Sequence, residues 1–128
     1  MVKDINTTAL AYIGDSVFEV HVRKHILDKG YAHADKLHKE AVRFVNAENQ
    51  SYGIKTILSQ LSEKEQALVK KARNHKSSSR PKNVDPVSYK WATALEALIG
   101  YLYLEDDKER LNEIIMKVIG VIEEKNHE

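Results

Sequence analysis

Leu10-Ala11-Tyr12-Ile13-Gly14-Asp15-Ser16 is the stretch on which the fold of this chain turns. It lies in a run where Leu10, Ile13, Val17, Val20, Lys24 and Leu27 recur at three- and four-residue steps. Apart from Lys24 that is an apolar stripe of helical period. Asn6 is suited to cap the helix and Gly30 to end it, with Lys29 in the last turn. Such a helix spans about 30–35 Å, long for a small domain and suited to a central or interface-forming element. Gly14 inside it costs about 1 kcal/mol relative to Ala. A glycine at that cost marks a place where a neighbouring helix, a metal ion or a substrate approaches the backbone. Asp15, between Gly14 and Ser16, is then either a solvated surface acid or a functional one. Glu19 shares its face one turn on, and either pairs with Arg23 at i+4 or joins Asp15 around a cation.

Working outward, the remaining periodicity is helical too. A second helix is expected from Asp35 to about Asn46, with Leu37, Ala41, Phe44 and Val45 inward. Ala47 to Leu61 continues helically through Ile54, Ile57, Leu58 and Leu61, with Gly53 weakening it. Ser62-Glu63-Lys64-Glu65 reads as a capping box that starts another helix. Asp85-Pro86 reads as an N-cap followed by proline at the first helical position. The helix it opens carries Trp91, Ala94, Leu95, Leu98, Ile99 and Leu102 on one face, a core stripe. Glu96 stands beside that stripe, with small residues, Ala92 and Gly100, one turn before and after. Asp106-Asp107 break the pattern and cap a last helix with a broad apolar face: Leu111, Ile114, Ile115, Val118, Ile119 and Ile122. Strand alternation, internal repeats and a linker to a second domain are all missing from the pattern. The expectation is an all-α fold and one domain over residues 1–128.

The composition fits a globular chain: 128 residues, 42% hydrophobic and 30% charged. A chain of this size buries about two-thirds of its unfolded surface. With no cysteine, disulfides and Cys-ligated zinc or iron–sulfur sites are excluded. No apolar run approaches 18 residues, and the N-terminus lacks the apolar run of a signal peptide, so a cytoplasmic protein without a membrane partner is expected. The net charge of +1 conceals an asymmetry. Gln66 to Val84 contains no acid but holds Lys70, Lys71, Arg73, Lys76, Arg80 and Lys82; the rest of the chain has 14 Lys and Arg against 19 acids. The stretch from Lys70 through Ser77-Ser78-Ser79-Arg80-Pro81 to Asn83 is a basic helix end followed by a basic loop, in which Lys and Arg supply charge and Ser, Asn and backbone amides donate to phosphate. His21 and His25 stand at i,i+4, a spacing that can hold metal, but surface positions on the long helix are the simpler reading.

Two acidic motifs and the basic segment together resemble the catalytic domain of the ribonuclease III family. Thr7 to Ser16, ending Ile13-Gly14-Asp15-Ser16, is similar to the family's first motif, roughly ERLEFLGDS. Thr93 to Glu105, containing Leu95-Glu96-Ala97-Leu98-Ile99-Gly100, is similar to its second, roughly DxxEALIGAxYLD. Arg73-Asn74-His75-Lys76-Ser77, then Pro81-Lys82-Asn83 and Asp85, resembles the short Mini-ribonuclease III subgroup, made of the catalytic domain alone. The resemblance implies a Mg2+-dependent endoribonuclease that cleaves double-stranded RNA as a homodimer. Asp15 and Glu96 match its metal-binding catalytic acids. The family's other two acids are replaced by Ala11 and Thr93, so weaker Mg2+ binding is expected, with RNA phosphates completing the coordination. A C-terminal double-stranded-RNA-binding module is not expected in the subgroup. The basic loop, about residues 73–85, becomes the candidate for RNA grip through Arg73, Asn74, Lys76, Ser77, Arg80, Lys82 and Asn83. The subgroup implies precursor 23S ribosomal RNA as substrate, with a ribosomal protein as a partner that presents it. The other reading is a helical protein of this fold that holds structured RNA without cutting it, motivated by Ala11 and Thr93.

Overall fold

The structure, a computed structural model, describes residues 5–75 and 82–126. Its elements are α1 (Thr7–Asp28), α2 (Ala34–Val45), α3 (Ala47–Ile57), a 3-10 turn (Leu58–Gln60), α4 (Glu63–Arg73), α5 (Pro86–Leu104) and α6 (Lys108–Asn126). The described residues contain no strand, and the fold is all-α as expected. None of their helices is long and apolar enough to cross a membrane.

The helix starts follow local chemistry. Asn6 Oδ1 accepts from the Ala9 amide at 2.8 Å, so α1 begins where its cap was read. Ser62 and Glu65 form the reciprocal capping box of α4, and Asp85 accepts from the Ser88 amide at the start of α5. Asp107 accepts from the Arg110 amide and starts α6. Asn46 is the boundary at which the second helix was expected to end. Its backbone is extended and its side chain accepts from the Asn49 amide, so α2 ends and α3 begins across one residue.

α5, rather than α1, is the central helix. It packs against α1, α3, α4 and α6. Ala92, Ala94, Leu95, Ala97, Leu98, Ile99, Gly100 and Leu102 are all buried, which surrounds the helix with protein instead of leaving one face to water. The six apolar residues of α6 named above are buried as well, within this same core.

The buried row of α1 differs from the expected stripe. Leu10, Gly14, Phe18, Val22 and Ile26 face inward at four-residue steps, whereas Val20 and Leu27 are 65% and 56% exposed. The helix is apolar on more than one side, so periodicity alone admits two rows. Gly14 decides between them, because α1 and α5 touch backbone to backbone. A Cβ on Gly14 would land on the Glu96 carbonyl and lie 2.8 Å from the Gly100 nitrogen; one on Gly100 would land on the Leu10 carbonyl. The approach that Gly14 signalled is therefore by a neighbouring helix. The small residues around Glu96 accommodate α1 rather than leaving open space around the carboxyl.

Candidate active site

Asp15 and Glu96 come together as a direct result of that crossing. Gly14 rests on the Glu96 backbone, so Asp15, the next residue on α1, is carried to the edge of the contact. Asp15 is exposed and Glu96 is partly buried. Their carboxyl groups are in hydrogen-bonding contact. Burial, followed by the hydrogen bond and charge of Asp15, pushes the Glu96 carboxyl up to about 9. Without a cation, the pair therefore holds a proton at neutral pH. A carboxyl whose charge is disfavoured by burial and by a neighbouring acid gains from a positive ion placed beside it.

Gln50, on α3, is the third side chain at this site and was missed in the sequence. It is only 3% exposed. Its carboxamide lies beside the Glu96 carboxyl and opposes the rise in its pKa. Yet Nε2 completes no hydrogen bond of good geometry. A buried donor left this way costs about 1–3 kcal/mol. The signal was present in the pattern: Gln50 precedes Ile54 by one turn on the inward row of α3, where an apolar residue is expected.

The donor set suits a hard, oxygen-seeking cation. No group of three or more His, Cys, Asp or Glu able to hold a metal ion occurs among the described residues. Two carboxylates match the way Mg2+ is held, through one or two acids with waters and substrate oxygens filling the remaining positions. The buried, unpartnered amide of Gln50 shows that the polar interior of the site exceeds what the two acids satisfy alone. Ala11 and Thr93 are partly buried and supply no carboxylate.

Other candidates fall outside the pair. Glu19 takes the simpler of its two readings, with its Oε2 2.8 Å from Arg23 Nη2. His21 Nδ1 faces the Val17 carbonyl at 3.0 Å. His25 is less exposed than expected: it contacts Glu123 Oε2 at 2.7 Å and packs edge-on against Phe44, while Lys29 also pairs with Glu123.

The basic segment is described at its two ends. Arg73 is partly buried, with its guanidinium 5.0 Å from the centre of the Trp91 ring and its Nε donating to Asn74 Oδ1. Lys55 lies over the same ring at 5.4 Å. Two cations thus converge on one indole where α4 ends. Asn74 caps α4, and Lys82 and Asn83 are exposed in the turn before α5, with Asn83 at φ 69°. Lys76, Ser77 and Arg80 lie outside the described residues.

The class of this helical domain, with its acidic pair at the α1–α5 crossing, is given by sequence comparison. Residues 8–107 match the Ribonuclease III domain. The chain belongs to the ribonuclease III family and is an endoribonuclease. Among its relatives, the Mini-ribonuclease 3 of Clostridium tetani is 44% identical over 123 residues, 95% of this chain and 82% of that protein. The Mini-ribonuclease 3 of Staphylococcus aureus is 35% identical over 126 residues, 97% and 94% of the two chains. A crystal structure of a Fusobacterium nucleatum protein superposes with a TM-score of 0.81 at 37% identity, covering 93% of this chain and 95% of that one.

Proposed function

We propose that this chain is a Mg2+-dependent endonuclease of double-stranded RNA, that residues 1–128 form its single catalytic domain, and that Asp15 and Glu96 are its catalytic metal ligands. The observation that carries the reading is the carboxyl–carboxyl contact between Asp15 and Glu96 at the Gly14 crossing. When bound, Mg2+ supplies an activated water as nucleophile and neutralises charge on the scissile phosphate and the leaving oxygen. Asp15, exposed, offers its carboxylate to the solvent side where RNA arrives; Glu96, partly buried, is held by α5 and fixes the inner side. With Ala11 and Thr93 in place of two family acids, RNA phosphate oxygens and water complete the coordination.

Substrate grip is assigned to Arg73, Asn74, Lys76, Ser77, Arg80, Lys82 and Asn83. The convergence of Arg73 and Lys55 on Trp91 supports this by concentrating positive charge at the end of α4. Phosphate neutralisation there supplies affinity without sequence preference. The working form is a homodimer. Its support is the outward side of α1, along which Tyr12, Val20 and Leu27 are exposed, and an apolar groove lined by Ile13, Val17, Val20, Leu102 and Leu111. The proposed substrate is precursor 23S ribosomal RNA in the cytoplasm, presented by a ribosomal protein, as the resemblance to the Mini-ribonuclease III subgroup implies.

Cleavage of a base-paired RNA beside its single strands, with Mg2+ and with chelator, tests the reading. Cuts in the duplex alone, abolished by chelator, are expected. A duplex that is bound but left intact with Mg2+ contradicts it.

A further inference from the structure

We propose that Gln50 is a positioning residue of the active site, whose carboxamide holds one oxygen of Glu96 and so fixes the face that the Asp15–Glu96 pair presents to a divalent cation. This inference rests on the metal-dependent reading above and adds to it a residue contributed by a third helix.

Three observations converge on Gln50. It is 3% exposed, inside a core otherwise built from aliphatic side chains such as Ile54, Ile57, Leu95 and Leu98. Its Nε2 is the buried side-chain atom that has no hydrogen-bond partner among the described residues. Its carboxamide lies beside Glu96, the inner member of the acidic pair. A leucine at this position would fill similar volume without burying an unpaired amide. Packing therefore does not account for the residue, whereas a carboxyl oxygen of Glu96 beside it does, as an acceptor for the buried Nε2 donor.

The arrangement also gives the missing acids a structural consequence. In a site with four carboxylates each acid is oriented by its neighbours and by the shared cations. Here Ala11 and Thr93 provide neither, so the rotamer of Glu96 must be set from elsewhere. α3 provides that constraint, capped by Asn46 and carrying Gln50 in its first turn, where the Gln50 backbone N–H donates to the Asn46 carbonyl at 3.0 Å. Groups that orient a metal ligand in this way typically change metal affinity or activity by about 10–100-fold when removed.

The test is Gln50→Leu, with Gln50→Met as a second variant that keeps an unbranched side chain. Mg2+ binding is measured by calorimetry with the metal alone, and duplex cleavage is measured for kcat and KM separately. About 10–100-fold weaker Mg2+ binding is expected, with a matching fall in kcat, an unchanged KM for RNA and a melting temperature no lower than wild type. Wild-type Mg2+ affinity and kcat in the folded variants overturn the proposal. So does a lowered melting temperature in both variants with unchanged Mg2+ affinity, which makes Gln50 a packing residue. Wild-type protein that neither binds Mg2+ nor cuts duplex RNA contradicts the metal-dependent reading instead, so the two failures are distinct.

Discussion

Glu96 is tuned against folding. Its carboxyl is raised from an ordinary 4.5 to about 9, first by burial and then by Asp15. A raised folded-state value means that stability is fully present below pH 4.5 and is lost as pH climbs toward 9. Glu96→Gln removes that dependence. In metal-free protein the variant is expected to be more stable than wild type at about pH 8, by up to about 5 kcal/mol, and equally stable at about pH 4. Added Mg2+ narrows the gap by stabilising wild type alone. Urea melts across pH, with and without Mg2+, check this; equal stability at about pH 8 without metal contradicts it. At this scale the two acids stood out in the sequence because small residues flank each: Gly14 and Ser16 adjoin Asp15, and Ala92 and Gly100 lie one turn to either side of Glu96. Gln50 did not, because a single polar residue in an apolar row looks like noise until its burial is known. Glu19 was ambiguous, and the ion pair with Arg23 resolves it.

Helices α1 and α5 meet through glycines, and that contact places the acids. Gly14→Ala puts a methyl group onto the Glu96 carbonyl, where backbone rather than a flexible side chain must yield. Destabilisation of about 3 kcal/mol or more is expected by denaturant melts, together with loss of cleavage. Gly120→Ala, on α6 with nothing within 4 Å of the added carbon, serves as the contrast and gains about 0.5–1 kcal/mol. Equal behaviour of the two variants contradicts the close crossing. Element starts were legible wherever a cap carries its own chemistry, as at Asn6, Ser62 and Asp85. The inward face of α1 was not legible, because apolar residues occupy two rows. The division at Asn46 was legible, and what the pattern did not show was the extended backbone and side-chain cap that make it.

Across the whole molecule, the long first helix lies beside the centre and α5 occupies it. Sequence order obscures this, since a helix buried on all sides has no amphipathic contrast to mark it. The broad apolar face of α6 is consumed inside the subunit. The outward side of α1 leaves apolar surface uncovered, which supports the proposed dimer. The fold class could be read before the structure because it is a short-range pattern tied to helix geometry, and the two acids could be singled out because their motifs resemble those of the ribonuclease III family. Topology and the third side chain of the site depend on contacts between distant segments. The account stands or falls on the pair. Single-turnover cleavage of a duplex RNA by wild type, Asp15→Asn and Glu96→Gln, at saturating enzyme and with Mg2+, tests it most directly. Both variants are expected to bind the duplex with near wild-type affinity and to lose at least about 100-fold in rate. Either variant cutting at the wild-type rate would contradict the assignment of the chemistry to Asp15 and Glu96.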